Sequence, residues 1–100
     1  MTTPQEEAVR HDGGERNGMF FIERDGRRVA ELTYRMNGET AVVDHTWVDP
    51  NLRGGKLAPA LVQAVVNWAR DGQRKISPAC SYVRMVMDRS PDTYRDVRKA

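Results

Sequence analysis

The segment 51–58 has the composition of an anion-binding loop. Gly54 and Gly55 stand directly before a segment with helical spacing, and Arg53 and Lys56 flank them. A glycine-rich turn that enters a helix exposes backbone N–H groups, and the helix dipole adds partial positive charge at the same end. Because two cationic side chains strengthen that field, phosphate or pyrophosphate is the ligand that suits the loop. The alternative is that the glycines only make a tight connection between a strand and a helix.

Two common nucleotide-binding motifs do not match this loop. The glycine spacing and the Lys-Ser/Thr pair of a triphosphate-binding loop are absent from it. The dinucleotide-binding fingerprint needs a preceding strand from a parallel βαβ unit, whereas the strand expected here belongs to an antiparallel meander. An anion site at 51–58 would therefore be of another kind.

Cys80 and His45 are the side chains with the strongest catalytic potential. Cys80 follows a predicted short strand and a proline, and a thiolate there can accept an acyl group. The alternative for Cys80 is a small buried hydrophobic residue. His45 lies within a predicted strand, on the face of Val43 and Trp47 by alternation, where an unprotonated imidazole can take a proton from an ammonium group. The alternative for His45 is a packed histidine that bonds a backbone carbonyl.

The sheet that would hold these residues is predicted as an antiparallel meander of three strands. The first strand is the apolar run 19–23, and the second is 29–36, in which apolar and polar residues alternate. The third strand is 41–48. Asp25-Gly26 and Asn37-Gly38 join the strands, because such pairs adopt the positive φ of tight hairpin turns.

The pattern changes to helical spacing after the loop. Apolar residues predict a helix over Leu57–Asp71, with Gly72 as its C-terminal stop. A short strand is predicted at 75–78, a second helix around 82–87, and a further helix start at Ser90-Pro91. The predicted fold class is α+β: a small, mainly antiparallel sheet, made of the three-strand meander plus one more strand, with a central helix and one or two C-terminal helices.

Length and composition predict a single small domain over 1–100, in which 1–17 is a flexible or weakly ordered tail apart from an edge strand at 9–11. Sixteen Lys and Arg against fourteen Asp and Glu leave a net charge of +2, too balanced for a nucleic-acid partner. One cysteine argues against a disulfide framework and a cysteine-rich zinc site, and it favours a reducing, cytoplasmic location. No metal is expected, and no apolar run is long enough for a membrane span.

Three sequence blocks occur in an order and spacing that resemble a known family. They are the histidine-threonine strand 44–50 with the loop 53–58, then 76–83, and then 90–94. Together they extend over about 20–97 and resemble the Gcn5-related N-acetyltransferases, and within these a minimal branch of about this length. The resemblance implies the fold predicted above and an acyltransferase activity.

The resemblance also implies where acetyl-coenzyme A would bind. In that family the loop amides hold the pyrophosphate at the start of the central helix, and the preceding strand holds the pantetheine arm. Carried over to this chain, these contacts and the nearby tyrosine give a cofactor-binding set of Trp47, Val48, Arg53, Gly54, Gly55, Lys56, Leu57, Ala58 and Tyr82. Cys80 corresponds to the suspected active-site residue near the thioester, and His45 is the candidate general base.

Lys56 departs from the family pattern, which has glycine at this position. The family's glycine would let the backbone come close to phosphate. Lys56 keeps a backbone N–H there and adds an ammonium group. Phosphate can therefore still bind here, through the backbone N–H and the ammonium group of Lys56.

Tyr82, Tyr94 and Asp44 are further candidates for a role in the reaction. Tyr82 and Tyr94 carry phenols of the kind that protonate the departing coenzyme A thiolate in larger family members, and the alternative is that both rings pack in the core. Asp44 would orient His45 only if the chain bends there, because adjacent strand residues point to opposite faces.

Two functional hypotheses follow from these residues. The first is an acetyl-coenzyme A-dependent N-acetyltransferase whose acceptor is a small-molecule amine or a lysine of a peptide or protein, with direct transfer and an acetyl-Cys80 intermediate both open. The second is a non-catalytic module that binds coenzyme A or acyl-coenzyme A, favoured by Lys56 and by the short chain. A domain of this size cannot enclose a deep pocket, so a sizeable ligand would lie partly on the surface or between the subunits of a weak homo-oligomer. Nucleic-acid and membrane partners are not expected.

Overall fold

The strands follow one another across one sheet in chain order, β1-β2-β3-β4-β5, in a computed structural model that describes residues 8–99. The predicted tail residues 1–7 lie outside the described part of the chain. Four strands form an antiparallel ribbon and the fifth is parallel to β4: β1 (Arg10–Gly13), β2 (Asn17–Arg24), β3 (Arg27–Asn37), β4 (Thr40–Val48) and β5 (Lys75–Pro78).

The helices occupy the second half of the chain. They are a 3-10 turn at Pro50–Leu52, α1 (Leu57–Asp71), α2 (Ser81–Arg89) and α3 (Pro91–Tyr94). The helix α1 crosses from β4 to β5, which allows these two strands to be parallel. The α+β class, the mainly antiparallel sheet and the central helix are therefore confirmed. No helix within the described residues is long and apolar enough to cross a membrane.

The core lies between α1 and one face of the sheet. Alternate residues of the strands point to this face, among them Leu32 and Tyr34 of β3, which are nearly inaccessible to solvent. The apolar stripe of α1 covers them with Leu57, Leu61, Val62, Val65, Val66 and Ala69. Val83 and Met87 of α2 belong to the same apolar cluster. The polar side chains that alternate with these residues lie on the face of the sheet that α1 does not cover.

The two hairpin turns have the positive φ that their glycines indicated. Asp25 and Gly26 have φ values of 53° and 75°, as a tight two-residue turn requires. At the second turn, Asn37 still pairs with Thr40 in the sheet, and the two loop residues are Gly38 and Glu39. The predicted turn centre is therefore wrong by one residue, and Gly38 carries the positive φ of 63°.

The N-terminal segment is more ordered than its polar composition indicates. Residues 10–13 form β1, so the expected edge strand is present and extends further than 9–11. The His11 ring stacks on Phe20 with centroids 4.1 Å apart, and its Nε2 lies 2.5 Å from the Tyr34 hydroxyl. Trp68 of α1 meets the same imidazole edge-on. These contacts with distant residues hold β1 against the sheet.

The surroundings of His11 disfavour its protonated form. Burial and the nearby Arg74 guanidinium lower the pKa of His11, against a smaller opposing effect of Asp12. Burial raises the pKa of Tyr34, so its hydroxyl stays protonated and can donate to the imidazole. If His11 were protonated, its Nε2 could no longer accept the hydrogen bond from Tyr34, and its positive charge would lie near that of Arg74.

Lowering the pH from about 7.5 to about 5 will reduce the stability of the fold through His11. The pKa of His11 is lower in the folded than in the unfolded protein, so the unfolded state takes up the proton first. The free energy of unfolding then falls as the pH drops through about 6.5. We expect His11→Phe, which keeps the stacked ring but cannot titrate, to lose this part of the pH dependence in urea unfolding.

The second histidine of the chain provides the matched control for this experiment. His45→Gln removes the other imidazole, which is 52% exposed on the opposite face of the sheet and lies outside the aromatic cluster of His11. Loss of the pH dependence in His11→Phe but not in His45→Gln would assign it to His11. Identical pH dependence in wild type and His11→Phe would show that His11 does not link stability to pH.

Candidate active site

A cleft of about 230 Å³ opens where β4, the glycine-rich loop and α2 meet. Eight of the nine residues predicted to contact a cofactor line it, and the exception is Lys56. Two further lining residues, Thr46 and Leu52, were missed from the sequence. The complete lining is Thr46, Trp47, Val48, Leu52, Arg53, Gly54, Gly55, Leu57, Ala58 and Tyr82. The structure thus brings the predicted set together in one place.

The cleft exists because β4 and β5 pair over a short distance only. Their register runs from Thr40 opposite Lys75 to Val43 opposite Pro78 and stops there. The Cys80 N–H then donates to the Val43 carbonyl at 2.8 Å and closes the end of the paired region. Beyond this point, no described strand pairs with the outer edge of β4, and the space beside it is the cleft.

The start of α1 has the features of an anion site. Its N-cap residue, Lys56, provides no side-chain acceptor, and no acidic residue lies in the first turn. The first N–H groups of a helix have no partner within the helix, so those of Leu57 and Ala58 remain available at the cleft. Gly54 has a φ of 85°, which turns the loop towards this helix end.

Lys56 occupies its position without backbone strain. Its φ of −101° and ψ of 3° are accessible to any residue. The glycine of the family pattern is therefore not needed here for its dihedral angles. The exposed Lys56 side chain lies outside the lining of the cleft but at the same helix end.

Arg53 is the cationic side chain of the cleft itself. Its Nε–H donates to the Val48 carbonyl at 3.2 Å, which holds the guanidinium beside the last residues of β4. Among the described residues, no carboxylate forms a salt bridge with Arg53 or Lys56. Both positive charges are therefore available to an anion.

A buried carboxylate fixes the loop. Asp49 is 5% exposed and accepts hydrogen bonds from Arg27 Nη1 at 2.7 Å and from the Asn51 backbone N–H at 2.9 Å. The bond from Arg27, followed by that from Asn51, holds the pKa of Asp49 below its ordinary value. Asp49 also caps the 3-10 turn Pro50–Leu52. The glycine-rich loop thus starts from a rigid corner.

Cys80 does not line the cleft itself, but its thiol contacts Thr46, which does. It is the N-cap residue of α2, is half-buried, and its thiol donates to Thr46 Oγ1 at 3.3 Å. Thr46 pairs with the core residue Leu32 and shares its face of the sheet. Cys80 therefore approaches the cleft from the core side, next to a residue that lines it.

His45 shares a face of the sheet with Trp47, as predicted, but not with Val43. A β-bulge at Asp44 breaks the alternation, since Thr33 pairs with His45 but Tyr34 pairs with Val43. Val43 is buried in the core, whereas His45 is 52% exposed on the other face of the sheet. The structure therefore does not bring His45 and Cys80 together.

The carboxylate beside His45 is one that sequence reasoning missed. Glu31 Oε2 lies 3.6 Å from His45 Nε2, because Glu31 on β3 is opposite Trp47, two residues along β4 from His45. Asp44, although the chain bends there, accepts instead from Thr33 Oγ1 at 2.7 Å. A strand alternation pattern that allowed for a bulge would have placed His45 correctly, but no residue of 41–48 marks the bulge.

The two tyrosines of the second half of the chain differ in position. Tyr82 lines the cleft, whereas Tyr94 is half-buried against the core and does not line it. Burial raises the pKa of Tyr82, and the neighbouring Tyr94 and Cys80 act in the same direction. The Tyr82 hydroxyl therefore stays protonated at neutral pH and can act as a donor.

Among residues 8–99, no three His, Cys, Asp or Glu side chains are grouped as a metal site.

The sequence matches the family model of the GCN5-related N-acetyltransferases over residues 19–97. The solution structure of a GCN5-like protein from Staphylococcus aureus is 32% identical, with 91% of this chain and 88% of that chain covered and a TM-score of 0.67. No curated protein sequence matches the chain significantly.

Two other structures share the fold at lower identity. The ribosomal-protein-S18-alanine N-acetyltransferase of Escherichia coli is 18% identical, with a TM-score of 0.63, and the match covers 80% of this chain and 54% of that enzyme. An aminoglycoside N-acetyltransferase in complex with coenzyme A is 16% identical, with a TM-score of 0.58 and coverage of 76% and 67%.

Gly54→Ala will destabilise the fold by about 1–2 kcal/mol, because an L-residue is strained at a φ of 85°. Gly55→Ala is the matched control, since its Cβ would meet the Leu52 carbonyl oxygen at an ordinary 3.5 Å. We expect Gly55→Ala to change the free energy of unfolding by less than about 0.5 kcal/mol. Urea unfolding measures both, and equal losses would contradict a special role for Gly54.

Proposed function

Because the chain belongs to the GCN5-related N-acetyltransferase family, we propose that it transfers the acetyl group of acetyl-coenzyme A to a primary amine. The observation that carries the proposal is the cleft at the start of α1, with its free N–H groups and the Arg53 guanidinium. The coenzyme A complex of an enzyme with the same fold supports this choice of donor. The cytoplasmic location and a weak homo-oligomer remain predictions.

In this proposal the pyrophosphate of acetyl-coenzyme A lies at the N-terminus of α1. Anions are favoured there by the helix dipole and by unpaired N–H groups. Arg53 and Lys56 add charge-assisted contacts. The pantetheine arm then lies along the outer edge of β4, beside Trp47 and Val48, where no described strand competes for the backbone. A cleft of about 230 Å³ leaves the rest of the cofactor on the surface.

The reaction is proposed as direct transfer in a ternary complex. An unprotonated His45 imidazole takes a proton from the ammonium group, and the free amine attacks the thioester carbonyl carbon. As the C–N bond forms and the C–S bond breaks, the nitrogen loses its second proton to solvent, and the departing thiolate takes a proton from the Tyr82 hydroxyl, which solvent then reprotonates. Amine and coenzyme A approach from the two sides of β4, because His45 and the cleft lie on opposite faces. Positioning both reactants supplies much of the acceleration.

Cys80 has a secondary place in this mechanism. Its thiol donates to Thr46, which lines the cleft, and in this proposal the acetyl end of the donor lies on that side of Thr46. His45 cannot deprotonate it from the other face of the sheet. We therefore propose direct transfer rather than an acetyl-Cys80 intermediate.

A second candidate function is a binding module for coenzyme A or acyl-coenzyme A without turnover. The observation that favours it is the separation of His45 and Cys80 on opposite faces, which leaves no catalytic pair inside the cleft. Both functions share the same cofactor site. They differ only in whether an amine is acetylated.

Acetyl-coenzyme A should bind the wild-type protein in isothermal titration calorimetry, and Arg53→Gln should weaken the binding about tenfold through loss of a charge-assisted contact. Added salt should weaken binding to wild type more than to Arg53→Gln. Arg95→Gln, at the exposed C-cap position of α3, makes the same charge change outside the cleft lining and should bind like wild type. Absence of binding at millimolar acetyl-coenzyme A would contradict both candidate functions.

His45→Gln should lower kcat about a hundredfold in a thiol-release assay with a panel of amines, because general base catalysis is lost. Its affinity for acetyl-coenzyme A should not change, since His45 lies outside the cleft. Cys80→Ala separates the two routes: direct transfer predicts that most of the rate remains, and an acetyl-cysteine intermediate predicts that it is lost. Binding without thiol release for any amine would favour the non-catalytic module.

A further inference from the structure

The face of the sheet opposite α1 carries a recess of about 400 Å³ that shares only Trp47 with the cofactor set. It is open to solvent, and Arg28, Glu31, His45 and Trp47 line it. Trp47 also lines the cleft, so recess and cleft are separated by the single strand β4. A molecule in the recess would lie next to the place where the acetyl group is expected.

Arg28 makes poor use of its hydrogen-bond donors. One Nη1 contact is to the Met19 sulfur at 3.1 Å, a weak acceptor, and another is to Glu31 Oε1 at a long 3.6 Å. Within residues 8–99, its Nε–H is buried and has no hydrogen-bond partner. The Phe21 ring, 4.3 Å from the guanidinium carbon, holds the group in one plane. The buried Nε–H is not accessible to a ligand, but Nη1 makes only these weak or long contacts, and a guanidinium oriented in this way can pair with a carboxylate.

The other side of the recess is suited to an ammonium group. Glu31 is 26% exposed, and its second oxygen lies 3.6 Å from the His45 imidazole. Trp47 supplies an aromatic face, and indole attracts cations more strongly than other aromatic rings. His45 can accept a proton from an ammonium group held there. The recess therefore places a site for a negative group and a site for a basic amine side by side.

We infer that this recess binds the acceptor, and that the acceptor is a small amino carboxylate whose carboxylate pairs with Arg28 while its ammonium group lies beside Glu31, Trp47 and His45. This inference rests on the proposed function, because it names the amine that the transfer uses. The overall step converts the ammonium form and acetyl-coenzyme A into the N-acetyl amino carboxylate, free coenzyme A thiol and one released proton. His45 takes up that proton before solvent removes it.

Binding can be tested without turnover by NMR on the wild-type protein. Glycine, β-alanine and γ-aminobutyrate are titrated at tens of millimolar, each against its own amide, which keeps the amine and removes the negative charge. At least one of the acids should shift the Arg28 Nε–H and Trp47 indole N–H resonances, and its amide should shift them less. If none of the acids moves either resonance, the inference is wrong, whatever calorimetry shows for acetyl-coenzyme A.

Kinetics test the same pairing in the complete reaction. The acid that binds should be acetylated with a kcat/KM about tenfold or more above that of its amide, as a charge-assisted bidentate pair predicts. Arg28→Gln should bring this ratio close to one, and Arg28→Lys, which keeps the charge but not the planar fork, should give an intermediate ratio. Arg35→Gln is the matched control, because Arg35 lies on the same sheet face but outside the recess, and it should keep the wild-type ratio.

The outcomes separate the inference from the proposed function. Acetylation of acid and amide at equal kcat/KM would overturn the amino carboxylate assignment and leave the acetyltransferase in place. An unchanged ratio in a folded Arg28→Gln variant would overturn the role of Arg28. Absence of acetyl-coenzyme A binding to the wild-type protein would contradict the proposed function. The NMR titration would still decide whether the recess binds an amino carboxylate.

Discussion

The site depends on the separation of β4 from β5 after four paired residues. Up to Val43 and Pro78 the two strands share hydrogen bonds, and beyond them β4 continues with a free outer edge. The Cys80 N–H closes the paired region, and the N-termini of α1 and α2 face the gap from either side. If pairing continued, the backbone of β4 would be occupied by a neighbouring strand and the cleft would not form.

A second constraint is the buried Asp49, which turns a glycine-rich segment into a fixed loop. Burial of a carboxylate is unfavourable unless it is paired, and Arg27 and the Asn51 N–H provide that pairing. Because Arg27 is the first residue of β3, the corner before α1 is tied to a neighbouring hairpin. The conformational freedom of Gly54 is then limited to the one turn that leads into α1.

A chain of this size places its chemistry on the two sides of one strand. The anion-binding features lie on the α1 face, and the exposed imidazole, carboxylate and guanidinium lie on the other. The bulge at Asp44 produces this division, because it moves His45 and Trp47 to the face opposite Val43. Both depressions are open to solvent, because a chain of this size has little core from which to form a deep pocket.

Local signals in the sequence by themselves determined the elements and the position of the glycine-rich loop. The helical spacing over Leu57–Asp71, the turn glycines and the basic residues of the loop each act on near neighbours, so their effect can be predicted without the fold. Only the tertiary structure decided the rest: the ordering of β1 through His11, the face of His45, and Glu31 beside it. These depend on contacts between distant segments and on a one-residue bulge, and the energy of such contacts is not encoded in any short stretch of sequence.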